Sequence, residues 1–139
     1  VGISLREDTL KLLFFLPIAI WVAKRRSDVE AMRLAATVGL GVAFSENIAY
    51  FGSGLDTYIA WIRFLTANVL HFSLTGIVGF YLYKLIVRKF HGLEEFLASF
   101  ILAVIAHGIY NAILAMPSLA EYSALRPILL AIIGRFREL

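Results

Sequence analysis

The chain has 139 residues, 60% of them hydrophobic, and 13 basic against 10 acidic residues give a formal net charge of +3. A soluble domain is nearer half apolar, so a mean hydropathy of +0.82 points to lipid as the solvent. The modest basic excess fits Lys and Arg in cytoplasmic loops; no basic stripe with interleaved aromatics suggests nucleic acid, and the lack of Cys excludes disulfides, thiolate metal sites and a Cys nucleophile.

No basic n-region and no small-residue cleavage site precedes the first apolar run. Val1 is not an initiator Met. Residues 1–139 are therefore expected to form a single membrane-embedded domain, a trimmed core with helices upstream of it.

The first predicted segment runs from Leu5 to Ala23. It opens with Arg6-Glu7-Asp8, carries Lys11, and is apolar from Leu12 to Val22 around Pro17. Neighbouring helices tolerate such a proline in a bilayer, and Trp21 suits an interface anchor. A charged loop, Lys24 to Glu30, follows, with Asp28 as the expected helix cap. The second segment runs from Glu30 to Phe51. Its Ala35, Ala36, Gly39, Gly41 and Ala43 would let helix backbones approach closely, and Gly52-Ser53-Gly54 would end it. The third segment, Thr57 to Lys89, is too long for a bilayer core of about 30 Å at 1.5 Å per residue. Either it tilts and overhangs, or Asp56–Arg63 is a separate interfacial turn. The fourth runs from Glu94 to Met116, with Pro117 after it. The tail Ser118–Leu139 holds a short apolar run, Ile128–Ile133, too short to span. There is no internal repeat. The expected fold is all-α, a polytopic transmembrane bundle of about four helices.

Loops rich in basic residues mark the cytoplasmic side. Lys24, Arg25, Arg26 and Arg33 surround the first loop, and Lys84, Arg88 and Lys89 the third. Glu46 and His107 then lie roughly 15–20 Å from the inner ends of their helices. Glu7 lies near the outer start of its helix, and His71 roughly 10–20 Å below the outer end of its own. All four can meet in the outer half of the bilayer, at one shared polar site.

The centre of that site is Val42-Ala43-Phe44-Ser45-Glu46-Asn47-Ile48-Ala49-Tyr50, where a carboxylate and an amide interrupt an apolar helix. An ionised acid in hydrocarbon is costly unless a partner or a task holds it. Lys11, a histidine or a metal are its candidate partners, with Asn47 and Tyr50 in supporting or packing roles. Glu7 and Asp8 share a helix face with Lys11, which suits a general base but also an ordinary charged helix start. His107 and Asn111 are spaced i,i+4. They could donate to an oxyanion or simply bond neighbouring helices. His71, paired i,i+4 with Thr75, could orient water, carry a proton or bind metal. Glu46, His71 and His107 also form a mixed N/O set suited to Zn²⁺, although no HExxH is present. His91 reads as solvent-exposed. Arg63 reads as an outer interface anchor, with a substrate carboxylate as its alternative partner.

Glu7-Asp8-Thr9-Leu10-Lys11, Gly41 to Tyr50, His71-Phe72-Ser73-Leu74-Thr75-Gly76 and His107-Gly108-Ile109-Tyr110-Asn111 resemble, in order, the motifs of the PrsW intramembrane proteases. That family is distantly similar to the CAAX-processing (Abi) membrane proteases. The resemblance implies hydrolysis of a peptide bond in a membrane-anchored protein, of the kind of a first cut in an anti-sigma factor on the extracytoplasmic side of a bacterial plasma membrane. By the same resemblance Glu7 would activate water, Glu46 and His71 would complete the catalytic centre, and His107 with Asn111 would hold the oxyanion. Asp8 departs from the family's usual Glu-Glu-x-x-Lys. Lys11, Asn47 and Thr75 would support the site. The family has been described both as metalloprotease and as glutamate protease. The favoured expectation is carboxylate-activated water without a cofactor. The alternatives are a zinc-dependent version, or a non-enzymatic transporter or binding subunit using the same cluster.

Overall fold

The computed structural model describes residues 2–25, 27–52, 57–89 and 91–114, the side chains of 57–59 excepted. The expectations for Val1, Arg26, Ser53, Gly54, Asp56, Pro117 and the tail Ser118–Leu139 lie outside these residues. Four helices follow one another: α1 (Gly2–Ala23), α2 (Asp28–Gly52), α3 (Thr57–Val87) and α4 (Leu93–Leu114). No strand occurs among the described residues. The fold is the expected all-helical membrane bundle. α2, the Ala60–Val87 part of α3 and α4 are each long and apolar enough to cross a bilayer. α1 has 22 residues, but Arg6, Glu7, Asp8 and Lys11 sit in its first half.

The apolar side chains point outward as well as inward, as they must in lipid. Leu102 is 66% exposed and Ile109 55%. The buried face is narrow and regular. On α1 it is Ser4, Asp8, Lys11, Phe15, Ala19 and Val22, a three-and-four spacing that keeps one stripe inward. On α2 it is Ala31, Ala35, Ala36, Gly39, Ala43 and Asn47. These small residues let α3 press against α2. A Cβ on Gly39 would stand 2.6 Å from Thr75 Oγ1 and also strike the His71 carbonyl oxygen, and one on Gly76 would meet Ala36 Cβ at 3.1 Å. Phe15, Ala19 and Ala35 form one fully buried cluster, and Val22, Ala31 and Tyr83 the next.

The ends of the helices differ from expectation in two places. Ser27, not Asp28, caps α2, its Oγ accepting from the Glu30 amide at 3.3 Å. Asp28 already lies inside the helix and pairs across to Lys84 of α3. The reason is the competing cation: Lys84 draws the Asp28 carboxylate away from its own helix end. α3 is continuous for 31 residues, about 46 Å of helix. Residues 57–63 therefore form no separate turn, and α3 overhangs or tilts in a bilayer. At the chain-reversal between α3 and α4, Gly92 takes φ +100°, a conformation that side chains disfavour. At the opposite end of the bundle, Phe44, Phe51, Trp61 and Phe64 pack edge to face, with the Phe51 and Trp61 centroids 5.6 Å apart.

Candidate active site

Three helices place ionisable side chains on their inward stripes. On α3 the stripe reads Arg63, Ala67, His71, Thr75, Val78, all buried. On α4 it includes Ala103, Val104, His107 and Gly108, with Asn111 one turn on. α1 contributes Asp8 and Lys11 from its stripe and Glu7 from its edge, and α2 contributes Glu46 beside buried Asn47.

His107 is fully buried and stands between two acids. Its Nδ1 lies 3.1 Å and 3.2 Å from the Asp8 carboxylate oxygens, and its Nε2 lies 3.4 Å from Glu7 Oε2. Asp8 also accepts from Lys11 Nζ at 2.7 Å. A carboxylate can only accept, so Nδ1 carries a proton toward Asp8 and Nε2 is left facing Glu7. The His71 ring packs edge-on against His107 with centroids 4.7 Å apart. His71 Nε2 lies 3.8 Å from Glu46 Oε2. The structure thus brings Glu7, Asp8, Lys11, Glu46, His71 and His107 together.

The remaining expected residues sit around this centre. Asn111 donates to Ser4 Oγ at 3.4 Å, tying α4 to α1. Asn47 donates to Asn68 Oδ1 at 3.0 Å, tying α2 to α3. Thr75 packs against Gly39 and lines a small pocket with Asp8 and Leu74. His91 is exposed, as expected. Arg63 is not an exposed interface anchor. It is 7% exposed, its Nη2 lies 3.6 Å from Glu46 Oε2, and its Cζ lies 3.6 Å from the centre of the Tyr50 ring. Burial of α3's first turns against α2 turns it inward. The sequence did hold a signal, because Arg63, Ala67, His71 and Thr75 recur every fourth residue on one helical stripe. Ser4, Asn68 and Tyr110, whose hydroxyl lies 2.7 Å from Thr66 Oγ1, carried no comparable pattern.

Several buried polar atoms of the cluster have no hydrogen-bond partner: Glu7 Oε2, Glu46 Oε1, both ring nitrogens of His71, His107 Nε2 and Asn111 Oδ1. Native interiors satisfy most such atoms, so a group of them marks a place built for something else. Glu46, His71 and His107 offer nitrogen and oxygen donors of the kind zinc takes, and their chemistry fits a metal. Among the described residues, however, no three His, Asp or Glu side chains stand together at metal-binding spacing.

A helical membrane bundle with acid and imidazole groups buried at the junction of its helices has the makings of a membrane-embedded hydrolase. The family model described as PrsW family intramembrane metalloprotease matches residues 1–133. The chain belongs to that family, and is an integral membrane enzyme, an intramembrane peptide hydrolase acting on membrane-anchored protein. That membership favours the enzyme over the transporter or binding-subunit alternative. No curated protein and no solved structure matches the chain.

Proposed function

We propose that the chain hydrolyses a peptide bond by carboxylate-activated water at the Glu7–His107–Glu46–His71 centre. The observation that carries this reading is a pair of facing acceptors: Glu7 Oε2 and His107 Nε2, buried, 3.4 Å apart and neither satisfied. Two acceptors so placed need a proton between them or a polar reactant beside them. Glu7 takes a proton from water as the water oxygen attacks the carbonyl carbon. The proton between the two rests on His107 Nε2, which leaves Glu7 the free carboxylate; His107, its Nδ1–H held by Asp8, donates Nε2–H to the developing oxyanion, and the second N–H of Asn111, whose first goes to Ser4, adds a further donor. Glu7 then returns its proton to the leaving nitrogen, giving an acid and an amine. Glu46 and His71 orient the water from the opposite side. Lys11 keeps Asp8 anionic, so that Asp8 can hold the imidazole.

The unsatisfied donors and the family's metalloprotease description favour one second reading. In it Glu46, His71 and His107 would hold zinc, which when bound lowers the pKa of water and polarises the carbonyl. Asp8 would still orient His107 through Nδ1, and Glu7 would still be the base.

The substrate we infer is a membrane-anchored protein, anti-sigma-factor-like, cut toward the outer half of a bacterial plasma membrane. The basic residues Lys24, Arg25, Lys84, Arg88 and Lys89 gather at one end of the bundle. Counted from the level of Asp28 and Lys84, His71 lies about 20 Å along α3 and Glu46 about 27 Å along α2, farther than the roughly 15–20 Å expected for Glu46. The test is cleavage of a single-span peptide by reconstituted wild type and Glu7→Gln, with metal content measured on the same samples. Wild-type cleavage that falls by about 100-fold or more in a folded Glu7→Gln supports the base. Equal cleavage by both would sink it. Stoichiometric zinc with chelator-sensitive cleavage selects the metal-assisted version, and activity in metal-free protein selects the other.

A further inference from the structure

Arg63 is a buried cation at this cluster that the reaction above does not use. It lies eight residues before His71, about 12 Å outward along α3. Its side chain is 8% exposed. A buried cation needs a strong reason and full company. Among the described residues its contacts come from one face of α2, where Glu46 and Tyr50 are spaced i,i+4 and stand together, while its Nε is buried without a hydrogen-bond partner. The guanidinium lies over the Tyr50 ring, Cζ to centre 3.6 Å, and its Nη2 stands 3.6 Å from Glu46 Oε2. His71 Nε2 approaches the same oxygen at 3.8 Å. The guanidinium and the imidazole therefore both approach Oε2, just beyond hydrogen-bond distance, and Oε1 is left buried with no partner.

We infer that Arg63 is a positioning residue for hydrolysis: stacked on Tyr50, it holds Glu46 by Oε2 so that Oε1 is presented to the reacting water. The inference rests on Glu46 belonging to the catalytic centre. Glu46 has three rotatable side-chain bonds, and a helix edge alone would not fix them. The planar guanidinium can stack and pair at once, whereas a lysine can only supply charge. Tyr50 fixes the plane of the guanidinium, and the guanidinium fixes the carboxylate. Misplacement of a reacting group by about 1 Å can cost on the order of 100-fold in rate, so the device acts on kcat and not on substrate binding.

The experiment uses full-length protein in vesicles and a single-span reporter peptide that the wild type cleaves. Arg63→Gln, Arg63→Lys, Tyr50→Leu, Arg63→Gln/Tyr50→Leu and Glu46→Gln are compared for kcat and KM, with helicity and melting checked for each. Arg63→Gln should lose about 10- to 100-fold in kcat with KM changed by less than about threefold. Arg63→Lys should fall between it and the wild type, because charge is kept and stacking lost. Tyr50→Leu should lose kcat in the same direction, and adding it to Arg63→Gln should cost nothing further, since the two act as one device. If Arg63→Gln fails to fold, Arg63→Lys and Tyr50→Leu decide by the same kcat criterion. Wild-type kcat in the folded Arg63 variants beside an inactive Glu46→Gln overturns the positioning role and leaves Glu46 in the centre. A rise in KM at constant kcat also overturns it, assigning Arg63 to substrate binding. Full activity of Glu46→Gln removes both Glu46 and its holder from the reaction.

Discussion

Toward the Asp28–Lys84 end, α2 and α3 meet through Ala35, Ala36, Gly76 and Gly79, with Phe15 of α1 closing the layer. Toward the other end the same two helices meet through Glu46, Asn47, Arg63 and His71. The first region is dry, close and satisfied, because without a hydrophobic force between helices in lipid it is tight backbone approach that holds them. The second leaves carboxylate and imidazole atoms without hydrogen bonds. Each such atom opposes folding, and only the packed region can offset it. The contrast sets the close packing and the candidate site on different lengths of one interface, and it can be broken by mutation at either end.

The largest stability effect belongs to Asp8, which holds together the polar half. Asp8 satisfies both Lys11 at 2.7 Å and His107 at 3.1 Å, and all three side chains are buried. Asp8→Ala strands a buried cation and should cost about 3–5 kcal/mol, measured by reversible unfolding in mixed micelles. Adding Lys11→Met should recover much of that loss, since the penalty is the unpaired charge. A double variant no more stable than Asp8→Ala would show that the carboxylate acts mainly through His107. Next comes Gly39, where the two regions join. Gly39→Ala drives a methyl against the His71 carbonyl and to 2.7 Å from Thr75 Cβ, and backbone cannot step aside cheaply. The expected cost is about 1–3 kcal/mol, with cleavage lowered as well because His71 moves. Gly41 has nothing within 4 Å of its Cβ position, so Gly41→Ala is the control and should be neutral in both assays.

How much of this was legible beforehand follows the same division. The helices and the narrow buried stripes were readable because small and polar residues recur at helical spacing in Ala31–Asn47 and in His71–Thr75. That Glu7, Glu46, His71 and His107 could meet was suggested by rise per residue and by the motifs that carry them, although Glu46 lies farther along its helix than the roughly 15–20 Å expected. Partnerships were not. Depth does not say that His107 turns Nδ1 to Asp8 and Nε2 to Glu7, so that Asp8, the acid that departs from the family's motif, is the one bonded to the imidazole. Charge near a helix end reads as an interface anchor, and that reading outweighed the stripe Arg63 shares with Ala67, His71 and Thr75, on which α3 packs against α2 and buries it. The same limit misplaced the cap of α2: Ser27 and Asp28 are both good capping residues, and a lysine 56 residues away decides between them.

That lysine supplies the smallest effect and the sharpest form of the comparison. Among the described residues, two Asp–Lys pairs share the same chemistry. Asp8 and Lys11 have side chains 9% and 2% exposed, whereas Asp28 and Lys84 have side chains 50% and 24% exposed. Water solvates either member of the second pair once its partner is gone, and salt already screens their attraction. Lys84→Met should therefore leave the melting temperature within measurement scatter at both low and high salt. Arg25 and Glu30, exposed and 3.3 Å apart, would behave alike. If Lys84→Met instead destabilised the protein as much as Asp8→Ala, the link between α2 and α3 at the basic end would be ionic, and the small-residue contacts would not be what holds the dry half together.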